Sequence, residues 1–247
     1  MCCFFGSHGA IETPVLCPAC LDRIPAWIGR YKYPRLDYRK LPEYRGMTLE
    51  PVLVFEAHAH RLLNSQDDGQ LVSGFLHVIA WANLNHPVNH LAQAQARVVR
   101  PTLRQIIDQV KSAEMPPDRA LRLLDDLHEV GFATATKLLT FLSPDRFCVL
   151  DRQVAEWLSE PWPFDWGNTT LASTAGNRAL YLRWLDFCRR VADELNRLEI
   201  PVAYAKAAGS PRPSRWRPVD VERAVFAAQH EPGCSTIPGA GEATAPD

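Results

Sequence analysis

Apolar side chains recur every three or four positions along residues 48–63 and again along 70–84, the spacing that gathers them on one stripe of an α-helix. Asp67, Asp68 and Gly69 interrupt the two runs, so the pattern predicts two antiparallel helices joined by a short turn. The stretch 71–84 contains Ser73, His77 and Asn83 and is shorter than the roughly 20 residues a bilayer crossing needs, so it reads as a buried helix. Beyond a polar loop at 85–89 the pattern predicts helices over 90–99 and 101–113, the second with Pro101 in its first turn. Pro116 and Pro117 then restart the chain. Ala120, Leu121, Leu124 and Leu127 form one apolar stripe, and Ala135, Leu138, Leu139 and Leu142 form another beyond Gly131, which is the pattern of a helix, a hairpin and a helix. Pro144 ends the second of these, and Asp151 opens a short helix that reaches 158. An aromatic loop at 162–166 follows. Residues 181–198 make the clearest amphipathic helix, with Trp184, Cys188, Val191, Leu195 and Leu198 on one face, and a last helix is expected over 219–229.

No repeat and no strand-like alternation emerges, so the fold class is all-α, with one helical domain over 47–230. Residues 1–46 carry many prolines and tyrosines without a sustained period and are expected to form an extended or loosely ordered arm. Residues 231–247, rich in Pro, Gly, Ala and Thr, have almost nothing to bury and are expected to be a disordered tail.

Composition narrows the classes open to this chain. At 247 residues and 47% apolar, it can bury one sizeable core or build two helical lobes around a groove. A net charge of -1 argues against a protein that coats nucleic acid indiscriminately, while leaving room for a local basic face. The seven cysteines are odd in number and scattered, which fits a reducing cytoplasm better than a secreted disulfide framework, and no signal peptide is expected.

The most informative chemistry lies between Leu127 and Asp151. The run from Leu127 to Leu139 reads LHEVGFATATKLL, with a glycine turn between two helices. Gly131 lets the backbone turn, and the N–H groups of Val130, Gly131, Phe132, Ala133 and Thr134 at the new helix start can hold a nucleic-acid phosphate. Glu129 beside such a phosphate would repel it unless its side chain turns away. Asp151 is placed to cap the helix that follows it, and capping would also keep the carboxylate ionised.

In this region the chain resembles the helix-hairpin-helix DNA glycosylase superfamily, and the run from Val130 to Asp151 looks closest to its 8-oxoguanine-glycosylase-fold branch in bacteria. Helix-hairpin-helix elements favour a leucine, a valine flanked by glycines and then an alanine; Leu127, Val130, Gly131 and Ala135 match, and Glu129 replaces the first glycine. In the superfamily a catalytic aspartate follows the hairpin, and Asp151 stands 20 positions after Gly131. The run from Trp216 to Arg223 also looks familiar from that branch, so the resemblance covers about residues 50–228.

The resemblance implies a two-lobed helical enzyme that flips a modified base from duplex DNA and cuts its N-glycosidic bond, for repair or for defence against modified phage DNA. Asp151 would stabilise the oxocarbenium-like sugar. Bifunctional members carry a lysine at the third position of the glycine turn, where this chain has Phe132 or Ala133; Lys137, one helical turn further on, is the candidate nucleophile for a lyase step. Trp162 and Trp166 are candidates for stacking on the flipped base, and Asn85 and Asn89 for contacts to the orphaned partner. Two basic aromatic stretches, 30–40 and 206–217, are candidates for phosphate contacts.

No cofactor is expected. Only Cys188 and Cys234 remain where some relatives hold an iron–sulfur cluster, and Cys17 with Cys20 makes at most half a zinc site, with Cys2, Cys3 or His8 as possible completions. The expected partner is double-stranded DNA carrying a modified base, bound by a cytoplasmic, nucleoid-associated monomer that has no membrane contact. The alternative is a helix-hairpin-helix DNA-binding protein without chemistry.

Overall fold

The computed structural model of the chain describes residues 21–31, 52–82, 100–127, 130–158, 162–167, 170–204 and 213–228. Among these the structure is all-α: α1 (Ile24–Arg30), α2 (Val52–Leu63), α3 (Asp68–Ala82), α4 (Arg100–Lys111), α5 (Pro117–Asp125), α6 (Phe132–Leu142), α7 (Arg152–Leu158), α8 (Ala175–Arg197) and α9 (Pro218–Ala228). The only extended pairing among the described residues is a single bridge between Trp166 and Leu171.

Two sets of helices share one apolar core. In the first, α2 and α3 pack antiparallel and both lie on α6, with α4 and α5 flanking them. In the second, α9 is held between α1 and α8. Phe55 of α2, Trp81 of α3 and Phe141 of α6 meet at the centre of the first set, with Phe141 edge-on to both other rings at 5.1 and 4.9 Å. Leu71, Phe75, Val78 and Ile79 are buried, as expected for a core helix.

Several boundaries differ from the sequence reading, each for a local reason. The Asp67 carboxylate accepts the Gln70 N–H at 2.7 Å, so the acidic turn that breaks the apolar pattern also starts α3, at Asp68. The long amphipathic helix begins at Ala175 because Thr174 caps it, its hydroxyl accepting the Asn177 N–H at 3.1 Å. Asn177 resembles a loop residue in sequence but is fully buried, and its amide donates to the carbonyls of Asp165 and Ala172 at 2.7 and 2.8 Å.

The larger correction concerns the N-terminal arm. Within the segment expected to be extended, α1 is helical and buries Ile24, Trp27 and Ile28. A helix of seven residues is too short to show a period and is marginal by itself, so its stability comes from packing, here against α9. The helix expected at 90–99, the remainder of the arm and the 231–247 tail lie outside the described residues.

A buried charge network fastens the two sets together. Glu56 of α2 receives Arg217 Nη1 at 2.7 Å and Arg223 Nη2 at 2.8 Å. Asp220 receives Arg217 Nη2 at 2.8 Å and the Tyr204 hydroxyl at 2.6 Å, and Tyr204 in turn accepts Arg223 Nη1 at 3.0 Å. Two carboxylates thus face two guanidiniums, which is the condition for burying four charges without a large penalty. Burial alone would push the Glu56 carboxyl up, but Arg223 and Arg217 outweigh it and hold the group below the ordinary carboxylate range.

A depressed folded value means the Glu56 contribution is complete above the unfolded carboxylate value and is lost as pH falls through the folded one. Glu56→Ala, which leaves two guanidiniums uncompensated, is expected to cost about 3–5 kcal/mol in urea unfolding at neutral pH. The difference from wild type should shrink when the titration is repeated below about pH 4; a difference that grows in acid would contradict this assignment.

Candidate active site

Helices stand on both sides of Gly131, as the spacing of the leucines predicts. Helix α5 ends at Asp125, the Leu127 N–H bonds the Leu124 carbonyl and the Val130 N–H bonds the Leu127 carbonyl, both at 3.1 Å, and α6 starts after Gly131. Val130, Phe132 and Thr134 are buried, and Ala133 is half-buried. Gly131 is exposed, at φ -91°, a conformation that any residue can adopt, and a Cβ built on it would meet nothing within 4 Å. Its value is therefore open space in front of the helix rather than relief of strain. Gly131 offers no side chain to cap α6, so the N–H groups of its first turn have no partner within the helix. His128 and Glu129 lie outside the described residues.

Helix α6 carries two residues that matter on its later turns. Thr136 is buried, and its hydroxyl accepts the Leu150 N–H at 3.2 Å. The same hydroxyl lies 2.9 Å from the Ala133 carbonyl and 3.2 Å from that of Leu150, either of which can take its proton. Thr136 thereby pins the irregular segment that leads into Asp151. Lys137, the next residue, projects toward the end of that segment.

Asp151 uses its two carboxylate oxygens differently. Oδ1 accepts the N–H groups of Gln153 at 3.1 Å and Val154 at 3.2 Å, which caps α7. Oδ2 faces Lys137, whose Nζ is 3.4 Å away. The Lys137 amine also lies 5.2 Å from the centre of the Trp81 ring, so an aromatic face and a carboxylate share it. The side chains of Lys137 and Asp151 are 12% and 21% exposed, enough burial to strengthen their attraction and enough access for a ligand to reach them. Capping thus occupies Oδ1 and leaves Oδ2 facing the lysine.

Other candidates fall elsewhere. Trp162 is buried, with its ring packed 6.3 Å from Phe164, so it belongs to the core rather than to a surface that could receive a base. Trp166 is 43% exposed on a loop held at its base by Asn177 and by Thr174, which donates to Asp165. Asn85 and Asn89 lie outside the described residues, as do Cys17 and Cys20. Of the basic stretch at 206–217, Trp216 is buried with its indole N–H on the Ile200 carbonyl at 2.7 Å, and Arg217 is spent in the Glu56 network. Neither is available to DNA. Among the described residues no three His, Cys, Asp or Glu side chains are grouped to hold a metal ion, and no helix is long and apolar enough to cross a membrane.

The sequence reading missed Trp81 and Glu222. Trp81 looked like one more apolar residue of a core helix, and nothing in its spacing told of a lysine from α6 above it. Glu222 stands between Val221 and Arg223 in the last helix, within the run from Trp216 to Arg223 already singled out. It is 4% exposed.

Residues 46–226 match the family described as "Putative 8-oxoguanine DNA glycosylase OGG-like protein". The chain belongs to this family. No curated protein and no solved structure matches it. The matched stretch takes in the hairpin, Asp151 and most of α9, so the paired lysine and aspartate of this OGG-like protein lie within the part that defines the family. Helix α1 precedes that stretch and packs on α9.

Thr136→Val keeps the shape of the side chain but leaves the Leu150 N–H without an acceptor in the core. It should lower stability by about 1–3 kcal/mol in a denaturant titration. An unchanged midpoint would mean that the segment before Asp151 is held by other contacts alone.

Proposed function

We propose that this OGG-like protein is a DNA N-glycosylase that grips duplex DNA through its hairpin, takes a modified base out of the stack and cleaves the bond between that base and its sugar. The reading is carried by one observation: Lys137, on the helix that starts after Gly131, comes within 3.4 Å of Asp151, which opens α7.

Phosphate binding at the first turn of α6 would orient the strand, with N–H groups of Gly131 to Thr134 as donors. Breaking the C1′–N bond sends its electron pair out with the base and leaves positive charge on the sugar. Asp151 Oδ2, on an oxygen not used for capping, is the group that meets this charge. Water attack completes a hydrolysis. Attack by Lys137 as a free amine, after its ammonium gives up a proton, would instead join the protein to C1′ and lead, on ring opening, to an imine that permits strand cleavage. Trp166, as the exposed aromatic of its loop, is the candidate for stacking on DNA bases, and Asn85 and Asn89 for contacts in the gap left behind. The protein would act as a monomer in the cytoplasm, at the nucleoid, in repair or in defence against modified phage DNA.

Asp151→Asn should reduce free-base release from a panel of modified duplexes by at least about 100-fold, read by mass spectrometry, while DNA affinity stays near wild type. The amide retains one capping oxygen, so folding should survive. Undiminished release would remove Asp151 from the chemistry, and no release from wild type on any duplex would leave a DNA-binding protein without activity. If Lys137 attacks the sugar, borohydride should trap a covalent protein–DNA species in wild type that is absent in Lys137→Ala. Release without trapping would identify a monofunctional hydrolase.

A further inference from the structure

Asp151 is fixed by the helix it caps, whereas Lys137 has to be fixed by whatever surrounds its amine. Its Nζ stands 3.4 Å from Asp151 Oδ2, beyond the roughly 2.7–2.9 Å of a direct charged hydrogen bond, while Arg217 and Arg223 meet Glu56 at 2.7 and 2.8 Å. The carboxylate by itself therefore holds the amine loosely, at the end of a flexible stem. Among the described residues no hydrogen bond and no second ion pair engages that amine. What does face it is the Trp81 ring, whose centre lies 5.2 Å away, within the ~6 Å over which a cation is drawn to an aromatic face.

The ring is itself fixed by packing. Trp81 is buried; Phe55 lies nearly parallel to it, with 5.9 Å between centres and 11° between planes, and Phe141 stands across it at 4.9 Å and 88°. Phe141 follows Lys137 by four positions on α6, so one stripe of that helix brings both a ring and a charge to Trp81. Resting on the functional reading above, we propose that Trp81 is a positioning residue for Lys137, its ring keeping the amine beside Asp151 for attack on the sugar carbon C1′.

An aromatic face suits this task better than a second carboxylate would. It draws the nitrogen by its quadrupole but offers no lone pair to bind an N–H strongly, so the amine can leave it for the sugar. With the stem packed and the nitrogen placed, attack starts from a set separation instead of a search among rotamers. On an abasic sugar in its aldehyde form, the free amine adds to C1′, water leaves and an imine results. Borohydride then delivers hydride to the imine carbon, the nitrogen takes a proton from water, and a stable secondary amine joins protein to DNA.

The test reads the contact and the chemistry separately. In full-length protein with 13C-labelled lysine, the ε-methylene of Lys137, identified by its loss in Lys137→Arg, should resonate upfield of the other lysines because it lies over the ring. Trp81→Leu should return it to their position, and Trp81→Phe should keep part of the displacement. The second arm is borohydride trapping at saturating concentrations of a duplex with a ready-made abasic site. Trp81→Leu should trap at least about tenfold more slowly at near wild-type DNA affinity, and Trp81→Phe should recover to within about threefold of wild type. Mono-, di- and trifluorinated tryptophan at position 81 keep the shape of the ring while draining its negative face, so trapping should slow with each fluorine. This series keeps the proposal testable if Trp81→Leu fails to fold, and a purely packing role would leave it flat. A Lys137 signal among the ordinary lysines, or a trapping rate indifferent to fluorination, overturns the proposal even in a protein that releases bases. An upfield signal in a wild type that traps nothing would instead sink the lysine step of the functional reading, and with it the purpose assigned to Trp81.

Discussion

A stretch of irregular backbone threaded through an all-helical core governs this structure. Phe147, Cys148, Val149 and Leu150 are all buried, and none of them belongs to a helix that could satisfy its peptide groups. Every such group must find a partner or exact the cost of an unmade hydrogen bond. Side chains from two helices supply several of these partners: the Tyr181 hydroxyl donates to the Cys148 carbonyl at 3.2 Å, the Trp184 indole to that of Val149 at 2.9 Å, and the Thr136 hydroxyl accepts the Leu150 N–H at 3.2 Å. Arg189 holds the carbonyl of Arg146 just before the stretch, at 2.8 Å. Asp151 follows at once, so its position is fixed by α6 and α8 rather than by the short helix it caps.

That arrangement explains how a small acid and a flexible lysine form a defined pair. Lys137 follows Thr136 on α6, and Asp151 follows Leu150, so the bond between Thr136 and Leu150 sets the separation of the residues next to them. The Trp81 ring then restricts the lysine from the side of α3. Electrostatics favours the same geometry, since the partly buried ammonium gains both a carboxylate and the negative face of an indole. Helix α9 is anchored by the Glu56 network.

Much of the helical plan and part of the site were legible in the residues. Leucine spacing and Gly131 located the hairpin, Asp151 announced a helix start, and Lys137 was a candidate because it follows Ala133 by one turn. Thr174 and Asn177 fall before the helix predicted at 181–198, because the cap of one and the bonds of the other to the carbonyls of Asp165 and Ala172 are not revealed by apolar spacing. Trp162 and Trp216 resembled exposed recognition residues for the opposite reason: an aromatic in irregular backbone carries no periodic mark of burial.

The sequence by itself determined the helical class and the helix starts after Gly131 and Asp151, because these depend on interactions between residues within a few turns of one another. Tertiary structure alone decided that Lys137 would reach Asp151 and that α1 would be a helix at all. Those outcomes depend on contacts between segments far apart in the chain and on the solvent they exclude, and no local pattern encodes either the distance or the dielectric.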